Sequence, residues 1–549
     1  MIILAIIVIS SFIIWSIYMR NKKKKTELLR IKTVWDTVSL NDSSNTDLEM
    51  IREEYKTYIA KEDSIDAVTW DDLEMDKVFL KMNFTSSMSG ESYLYELLHK
   101  PQFDEEELIE RNRVIEVLTH EPDLRTKLQY SLSIIGRSCS RSLYDYLLNC
   151  NELKPLCIWP HIISTILLFL SIVVIFISKA IGIILFLLAL ILSTALYFKD
   201  RASMESYLPV VRVVGNMLIA AKDLSNINDT NLSCYFDKIK FSQILCKRFK
   251  RTIRVISSGV NAFASDLDLV SDYLRILTHM DILLYNSYIK KLKASYHELI
   301  ILYQIIGYLD SMVAIAKYRK IQPYYCTPNF TDALSIVTTE IYHPLLNDAV
   351  ANDFSGRNTL ITGSNASGKS TFLRTLGINA LLAQTIYTVH ASSFDTNFYH
   401  IHTSISLKDD LEQQESYYVA EIKALKRIFD SAGNGNIVLC LVDEVLKGTN
   451  TLERIAASTE VLRYLLKYKV LCIAATHDME LPKLLSGIYQ NMHFKEAITE
   501  HKLHFDYILK EGICPSGNAI KLLDLMGFSK ELIQKSIERI SNFKENGSW

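Results

Sequence analysis

Residues 358–370 read NTLITGSNASGKS and decide the fold of the carboxyl-terminal region of this 549-residue chain. The apolar run from Asn358 to Thr362 predicts a short strand, and a helical run from Thr371 to Ala383 follows it. Eight residues between them match the pattern GxxxxGKS: Gly363, Ser364, Asn365, Ala366, Ser367, Gly368, Lys369 and Ser370. A strand, a glycine-rich loop and a helix in this order predict a phosphate-binding loop (P-loop) in an α/β domain.

The residue types of this loop suit a nucleotide. Glycines let backbone amides turn inward toward a phosphate, and the helix amino terminus that follows supplies positive potential. Lys369 is expected to reach the β and γ phosphates, and Ser370 to offer its hydroxyl to Mg²⁺. Thr371 continues the loop into the helix and is included in the nucleotide site. The alternative is a glycine-rich turn that holds no nucleotide.

Two further apolar runs support the same site. Residues 437–442 read IVLCLV, which is typical of a parallel strand buried on both faces, and Asp443 and Glu444 follow at its carboxyl end. Asp443 is predicted to hold Mg²⁺ directly or in its outer shell, and Glu444 to orient or deprotonate the attacking water. Residues 470–475 predict a third buried strand, with His477 just beyond it. His477 is predicted to contact the γ phosphate, and an ordinary capping or surface histidine is the alternative.

Composition excludes several protein classes. Lys and Arg total 60 against 62 Asp and Glu, a formal net charge of −2, so the whole chain lacks the basic excess of a nucleic-acid-binding protein. A local basic patch stays possible. The nine cysteines form no CxxC pair and have no histidine at ligand spacing, so neither a zinc site nor a disulfide framework is indicated. A reducing compartment is the simplest interpretation.

Three apolar stretches predict a membrane protein. Met1 to Met19 carries no charge and is followed by five basic residues within 20–25, the reverse of a secretory signal. The second and third stretches, from about Cys157 to Ser178 and from about Ala180 to Phe198, are long enough to cross a bilayer and are separated by Lys179 alone. We expect three crossings of the cell membrane, with the amino end outside and the large segments cytoplasmic. The alternatives are a cleaved leader for the first stretch and buried core helices for the other two.

The predicted fold class is therefore α plus α/β: transmembrane helices, a mostly helical region and a P-loop α/β domain. Apolar residues recur at helical spacing on both sides of the second and third apolar stretches, which suggests one helical domain interrupted by a membrane hairpin. The predicted segments are a transmembrane anchor (1–19), a charged cytoplasmic linker (20–75), a helical segment before the hairpin (76–156), the transmembrane hairpin (157–198), a helical segment after the hairpin (199–325) and the ATPase domain (326–549).

These residues carry a resemblance to one family. The sequence LVDEVLKGTNTLE from Leu441, ATHDMEL from Ala475 and YHPL from Tyr342 resemble the ATPase domain of the MutS family. The resemblance extends to the tail and to helical positions on both sides of the hairpin, including Gly90 and Asp310, and so covers about residues 76–545 without the hairpin. It implies the ABC-superfamily type of P-loop ATPase, with ATP and Mg²⁺ as cofactors.

The resemblance further implies a homodimer with composite sites. By position, Ser416 contacts the γ phosphate bound to the other subunit, and residues 448–451 form a loop that crosses between the two sites. His343 and Asn352 lie where the family borders the adenine. One departure concerns the trans contact, because Gln414 replaces the family's signature glycine.

Two classes of function follow. The amino-terminal mismatch-reading domain of the repair proteins has no counterpart in this sequence, and about 210 polar residues remain for the helical lever and clamp. The first class is a membrane-anchored MutS-like ATPase that acts on mismatched or branched DNA, as the family implies. The second is an ABC-type nucleotide switch that drives a membrane or protein partner without binding DNA.

Overall fold

The structure is a computed structural model in which placement is described for residues 2–37, 46–59, 64–137, 142–153, 155–205, 208–257, 276–364, 367–405, 417–447, 449–499, 502–514, 520, 523–524 and 526–546. The chain forms two compact units. The first unit comprises Met1–Ala60, Met82–Glu96 and Arg113–Lys320, and the second comprises Lys61–Lys81, Leu97–Asn112 and Ile321–Trp549.

The α-helices of the described residues up to Ile321 are α1 (Ile2–Asp36), α2 (Leu48–Glu54), α3 (Ala67–Asp72), α4 (Met75–Met82), α5 (Met88–His99), α6 (Glu105–His120), α7 (Pro122–Ser133), α8 (Leu143–Leu148), α9 (Trp159–Ile177), α10 (Lys179–Glu205), α11 (Leu208–Leu224), α12 (Ser233–Ile239), α13 (Ser242–Ser257), α14 (Met280–Ala294) and α15 (Tyr296–Ile321). A π-helical turn, Tyr55–Ile59, follows α2, and a 3₁₀ turn, Asn149–Glu152, follows α8.

The strands and the remaining helices follow Ile321. The strands are β1 (Asn329–Phe330), β2 (Ile336–Ile341), β3 (Asn352–Gly356), β4 (Thr359–Thr362), β5 (Ser393–Thr396), β6 (His400–Ser404), β7 (Val438–Asp443), β8 (Val470–Thr476), β9 (Gln490–Thr499) and β10 (Lys502–Glu511). The helices are α16 (Lys369–Ile386), α17 (Tyr417–Gly433), α18 (Thr451–Leu465), α19 (Leu481–Leu484) and α20 (Lys530–Asn546). The predicted strands at 358–362, 437–442 and 470–475 and the helix after Ser370 are confirmed by β4, β7, β8 and α16.

The first unit is helical and packs around α15. Asp310 in α15 is fully buried, and its carboxylate accepts hydrogen bonds from the backbone N–H of Ser86 (3.0 Å) and Ser87 (2.8 Å) and from the Ser87 hydroxyl. Gly90 is required beside it, because a Cβ at that position would lie 2.3 Å from Asp310 Oδ2. The Ser311 hydroxyl donates to Gly90 O at 3.2 Å and completes the junction. These contacts join the start of α5 to the middle of α15.

The end of α1 is held by cations in the same unit. The buried Lys317 Nζ donates to the carbonyl oxygens of Trp35 (2.7 Å) and Thr37 (2.7 Å), at the helix carboxyl terminus where carbonyls lack intrahelical partners. The Arg125 guanidinium lies 3.8 Å from the centre of the Trp35 indole ring, and Lys320 pairs with Asp36 at 2.6 Å. Helix α1 is continuous from Ile2 to Asp36, and these contacts hold its carboxyl end.

Helices α9 and α10 form the hairpin that the sequence predicts at 157–198. Three helices of the described residues are long and apolar enough to cross a membrane: Trp159–Ile177, Lys179–Arg201 and Tyr296–Ile321. In the most apolar window of the third, α15, 72% of residues are buried within the protein, against 22% and 17% for the two hairpin helices. The hairpin therefore exposes its apolar side chains, whereas α15 is a core helix.

A chain of hydrogen bonds fixes the base of this hairpin. His161 Nδ1 lies 2.8 Å from His279 Nδ1, and His161 Nε2 lies 2.8 Å from Asp200 Oδ2. Ser193 Oγ lies 2.9 Å from His279 Nε2. Both imidazoles are fully buried, so these hydrogen bonds satisfy polar groups that burial would otherwise leave unpaired. They also connect His279 to both hairpin helices.

The second unit contains two sheets. The larger has the order β10-β9-β4-β8-β7-β6, parallel except for β10, which is antiparallel to β9. The smaller has the order β1-β5-β2-β3. Side chains of α17 and α18, including Ile428 and Leu462, pack with Val438, Cys440 and Val442 of β7 in one buried cluster. Burial of β7 and β8 along nearly their whole length explains their continuous apolar sequences.

Residues 64–81 also belong to this unit, although the sequence places most of them in a linker. The Asp72 carboxylate accepts hydrogen bonds from the Thr403 hydroxyl (2.7 Å) and the Ile405 backbone N–H (2.9 Å) at the end of β6. Asp66 pairs with Arg427 of α17 and with His402. This amino-terminal segment therefore anchors the edge strand of the larger sheet.

Candidate functional site

A cavity of about 580 Å³ opens at the carboxyl ends of β4 and β7, beside the start of α16. Ligands gather at this edge of open α/β sheets because the loops after the strands diverge there. The lining combines residues of the GxxxxGKS loop, both carboxylates after β7 and apolar side chains; it includes Ser364, Gly368, Lys369, Ser370, Thr371, Asp443, Glu444, Lys447, His343, Val350, Asn352, Phe494 and Tyr507.

The loop itself requires glycine at its end. Gly368 has a φ of +108° and lies immediately before α16, a conformation that residues with a Cβ rarely adopt. The first residues of α16 therefore present backbone N–H groups without intrahelical partners at the cavity. Such a helix terminus favours an anion. Asn365 and Ala366 lie outside the described residues.

Lys369 points back over the loop. Its Nζ donates to the carbonyl oxygens of Gly363 (2.7 Å) and Ser364 (2.9 Å), and the side chain is only 5% exposed. Burial lowers the pKa of this ammonium from its ordinary value. Loop carbonyls are weaker partners for a buried ammonium than phosphate oxygens, so the position suits binding of a phosphate.

Ser370 and Asp443 meet across the cavity floor. The Ser370 hydroxyl donates to Asp443 Oδ2, which joins the start of α16 to the end of β7. Burial raises the pKa of the Asp443 carboxyl. One hydroxyl and one carboxylate are the protein ligands that Mg²⁺ uses when phosphate and water complete its shell. Within the described ranges of the chain, no cluster of three His, Cys, Asp or Glu side chains forms a metal site.

Glu444 and His477 form the second polar pair of the site. Glu444 has a φ of +60°, and its backbone N–H donates to Ala475 O of the neighbouring strand at 2.9 Å. His477 Nδ1 lies 2.9 Å from Glu444 Oε1. This hydrogen bond lowers the pKa of Glu444 to about 2 and raises the pKa of His477. The carboxylate is therefore ionised, oriented and placed beside the Ser370 and Asp443 pair.

The family description "MutS domain V" matches residues 359–544, which contain the phosphate-binding loop, both carboxylates after β7 and His477. The carboxyl-terminal part of this chain is therefore similar to the MutS family. It is similar to the DNA mismatch repair protein MutS of Protochlamydia amoebophila, with 27% identity over 262 residues that cover 45% of this chain and 30% of that protein.

Two further relatives show similarity over a segment of comparable length. MutS protein homolog 4 of Homo sapiens is 32% identical over 265 residues, 45% of this chain and 28% of that protein. DNA mismatch repair protein MutS of Thermus thermophilus is 28% identical over 239 residues, 42% of this chain and 29% of that protein. The matched segments of this chain thus span less than a third of the length of these curated relatives.

The two residues predicted to border adenine, His343 and Asn352, both line the cavity but have different environments. His343 is buried, and burial lowers its pKa to about 4, so its ring is neutral and suited to contact an aromatic base. Asn352 lines the cavity, but its amide is engaged: Nδ2 donates to Tyr507 O (3.0 Å) and Oδ1 accepts from Leu509 N–H (2.7 Å). Asn352 therefore connects β3 to β10 and shapes the wall.

The site contains residues that the sequence did not predict. Tyr507 lies where the register of β9 and β10 shifts, has a φ of +53° and places its ring against Gly368. Arg454 of α18 forms a bidentate ion pair with Asp478, from Nε to Oδ2 (2.9 Å) and from Nη2 to Oδ1 (2.7 Å). This pair fixes the residue after His477. Lys447 lies beside Glu444. The sequence signals were an aromatic residue in a two-strand segment and charges flanking the motifs, which are too common to be specific.

Other predicted site residues are not described. Ser416, Gln414 and Gly448 lie outside the described residues, so the predicted contacts across a dimer stay predictions. Asn450, within the crossing loop predicted at 448–451, caps α18 by accepting from Glu453 N–H at 3.0 Å. The structure brings together Lys369, Ser370, Thr371, Asp443, Glu444 and His477.

Proposed function

We propose that the second unit binds and hydrolyses ATP with Mg²⁺ and uses the nucleotide cycle to change conformation. The observation that carries this proposal is the convergence of three groups on one cavity: Lys369 over the loop, Ser370 with Asp443, and Glu444 with His477. Similarity to the MutS family supports the same proposal, because members of that family are ATPases.

Each group then has a role in the reaction. Lys369 exchanges its two carbonyl partners for oxygens of the β and γ phosphates. Ser370 and Asp443 hold Mg²⁺, which when bound neutralises charge on the phosphate oxygens. Glu444 orients a water molecule toward the γ phosphorus and accepts its proton, and His477 keeps the carboxylate in position.

We propose a homodimer in which each nucleotide is held between two copies of the chain. Ser416 of one copy then contacts the γ phosphate held by Lys369 of the other, and residues 448–451 cross between the sites. A γ phosphate bound from both sides gives ATP more contacts in the closed dimer than ADP can make, so hydrolysis opens the dimer. Ser416→Ala is expected to reduce ATP-dependent dimerisation without reducing ATP binding by the single chain.

We propose that the protein is a multi-pass protein of the cell membrane with a cytoplasmic ATPase unit. The hairpin of α9 and α10 supports this, since no more than 22% of either apolar window is buried, and Phe176 and Ile177 at its tip are 87% and 81% exposed. So large an apolar surface is unstable in water. Helix α1 supplies the third crossing; Trp15, Tyr18 and Met19 near the end of its apolar segment are all exposed.

Two substrates of the cycle are compatible with these features. The relatives named as DNA mismatch repair proteins favour action on mismatched or branched DNA near the membrane. The exposed hairpin favours an ABC-type switch that moves a membrane or protein partner without DNA. A gel-shift assay on detergent-purified protein separates them: binding of branched DNA that weakens steeply with salt supports the first, and no binding at low salt supports the second.

The ATPase proposal itself is tested by phosphate release from the same preparation. We expect Mg²⁺-dependent hydrolysis in the intact chain and its loss in Lys369→Ala, with Lys426→Ala on the exposed face of α17 as the matched control. Equal phosphate release from the intact chain and Lys369→Ala would contradict the proposal.

A further inference from the structure

We propose that Lys447 is a latch: its ammonium pairs with Oε2 of Glu444 until the γ phosphate of a nucleoside triphosphate draws it away. This inference rests on the proposed ATPase function and concerns the regulation of that site. It predicts that, in the nucleotide-free protein, the ion pair between Lys447 and Glu444 keeps water from reaching Oε2 of Glu444.

The geometry at Glu444 distinguishes its two oxygens. Oε1 is occupied by His477 Nδ1 at 2.9 Å. Oε2 is buried, and Lys447 Nζ lies 2.9 Å from it. The contact is therefore an ion pair, and the ammonium stands where a water molecule would have to approach Oε2.

The reaction needs that position. During hydrolysis the water oxygen bonds to the γ phosphorus while the bond from that phosphorus to the β–γ bridging oxygen breaks, giving ADP and phosphate. The proton released by the water passes to a carboxylate oxygen of Glu444. Since Oε1 is held by His477, Oε2 is the available acceptor. Lys447 must leave Oε2 before water can use it.

The side chain of Lys447 is able to move whereas its backbone is held. The backbone N–H of Lys447 donates to Glu421 Oε1 at 3.0 Å, which fixes the Cα position at the end of the loop. The side chain is 54% exposed and lines the same cavity as Lys369. A flexible ammonium of this kind shifts between anions according to their charge. A triphosphate carries more negative charge than one carboxylate and competes for it.

Carbodiimide cross-linking tests the latch in the intact chain. This reagent joins an amine to a carboxylate only where the two are in contact, and mass spectrometry detects the amide as the loss of one water from the peptide that contains both residues. We expect a Lys447 to Glu444 cross-link in nucleotide-free protein, and a yield at least about fivefold lower with Mg²⁺ and a non-hydrolysable ATP analogue. ADP, which lacks the γ phosphate, should leave the yield high.

Lys426 and Asp430 provide the matched control. Their side chains are 2.8 Å apart, also lie one helical turn apart in sequence and are exposed on α17 of the same unit. Their cross-link should form equally with and without nucleotide. An undiminished Lys447 to Glu444 yield in protein saturated with the analogue, as judged by a fluorescent analogue, would overturn the latch. Absence of analogue binding would instead overturn the proposed ATPase function.

Kinetics of Lys447→Gln give a second readout. If the ammonium blocks Oε2, single-turnover hydrolysis by Lys447→Gln becomes at least about twofold faster, whereas Lys447→Arg keeps the ion pair and the slow rate. Slower single-turnover hydrolysis in Lys447→Gln would mean that Lys447 assists the reaction, and the latch would be wrong.

Discussion

His477 Nδ1 lies 2.9 Å from Glu444 Oε1, a contact between the loops that follow two adjacent parallel strands, β8 and β7. The backbone bond from Glu444 N–H to Ala475 O holds the two loops in register. Arg454 fixes Asp478, the next residue along, through its two-pronged ion pair. The orientation of the proposed general base therefore depends on a histidine 33 positions away in sequence.

Glu444→Gln should separate binding from hydrolysis. The amide keeps the size of the side chain but cannot accept a proton, so we expect hydrolysis to fall by about 10²-fold or more while nucleotide binding is retained. Phosphate release and binding of a fluorescent ATP analogue measure the two properties. Glu460→Gln, on the exposed face of α18, is the control. Turnover of Glu444→Gln at the rate of the unaltered chain would contradict the assigned role.

His477→Ala should slow hydrolysis less severely. Loss of the imidazole removes the hydrogen bond that orients Glu444 but leaves the carboxylate in place, so we expect a decrease of about tenfold in kcat with a small change in KM. His477→Gln retains an N–H donor and should lose less activity than the alanine variant. An alanine variant with lowered ATP affinity and normal kcat would place His477 on the nucleotide instead.

Asp443→Asn should change the dependence on magnesium. An amide is a weaker ligand for Mg²⁺ than a carboxylate, so the Mg²⁺ concentration for half-maximal hydrolysis should rise by about tenfold or more. Nucleotide binding measured with EDTA present should stay the same, because it depends on Lys369. Asp430→Asn serves as the control on an exposed helix face. An unchanged magnesium requirement would show that Asp443 is not a ligand of Mg²⁺.

The free energy of unfolding of the first unit should fall as pH rises through the pKa of Asp310. Burial raises the pKa of this carboxyl from 3.8 to about 6, so the folded state holds the proton more tightly than the unfolded chain. Its contribution to the free energy of unfolding is complete below the unfolded pKa and is lost as pH rises through about 6. Relative to Asp310→Asn, the unaltered chain should lose on the order of 1–3 kcal/mol between about pH 4 and pH 7.

Chemical denaturation of both proteins in detergent across this pH range measures that difference. Asp310→Asn is expected to be less stable than the unaltered chain at low pH, because an amide cannot accept all three hydrogen bonds in the same way. The pH dependence, and not the absolute stability, is the test. Parallel curves for the two proteins would show that Asp310 does not titrate in this range.

Lys317→Met should destabilise the end of α1. The variant keeps the apolar stem but removes an ammonium that donates to several terminal carbonyls, so we expect a loss of about 1.5–3 kcal/mol in the free energy of unfolding and earlier proteolysis near Trp35. Lys320→Met is the matched control, since its ion pair with Asp36 is exposed and should matter by less than about 1 kcal/mol. Equal effects of the two changes would remove the special role of Lys317.

The fold could be predicted where the sequence signal is local. Strands β7 and β8 were predictable because a parallel strand covered on both faces is apolar throughout, and the hairpin because an exposed apolar helix leaves a long uncharged run. The smaller sheet and the order of the larger one depend on pairing between distant segments. Residues 64–75 gave no such signal, and it is contacts of Asp66, Thr69 and Asp72 that place them with β6 and α17.

The site divides in the same way. Motif spacing identified Lys369, Ser370, Asp443, Glu444 and His477, because phosphate and Mg²⁺ chemistry allows few residue types at those places. It missed Lys447, Tyr507 and the Arg454 to Asp478 pair, since each acts through a partner that is remote in sequence or through an unusual backbone conformation.

The amino-acid order alone determined which chemical groups this protein carries and in which kind of element each lies, since hydrophobic periodicity and glycine placement act over a few neighbouring residues. The tertiary structure alone decided that Glu444 lies between His477 and Lys447, and that the Asn352 amide bonds to the backbone of β10. Those outcomes are set by side-chain direction at strand ends, where one change in pairing would bring different groups together.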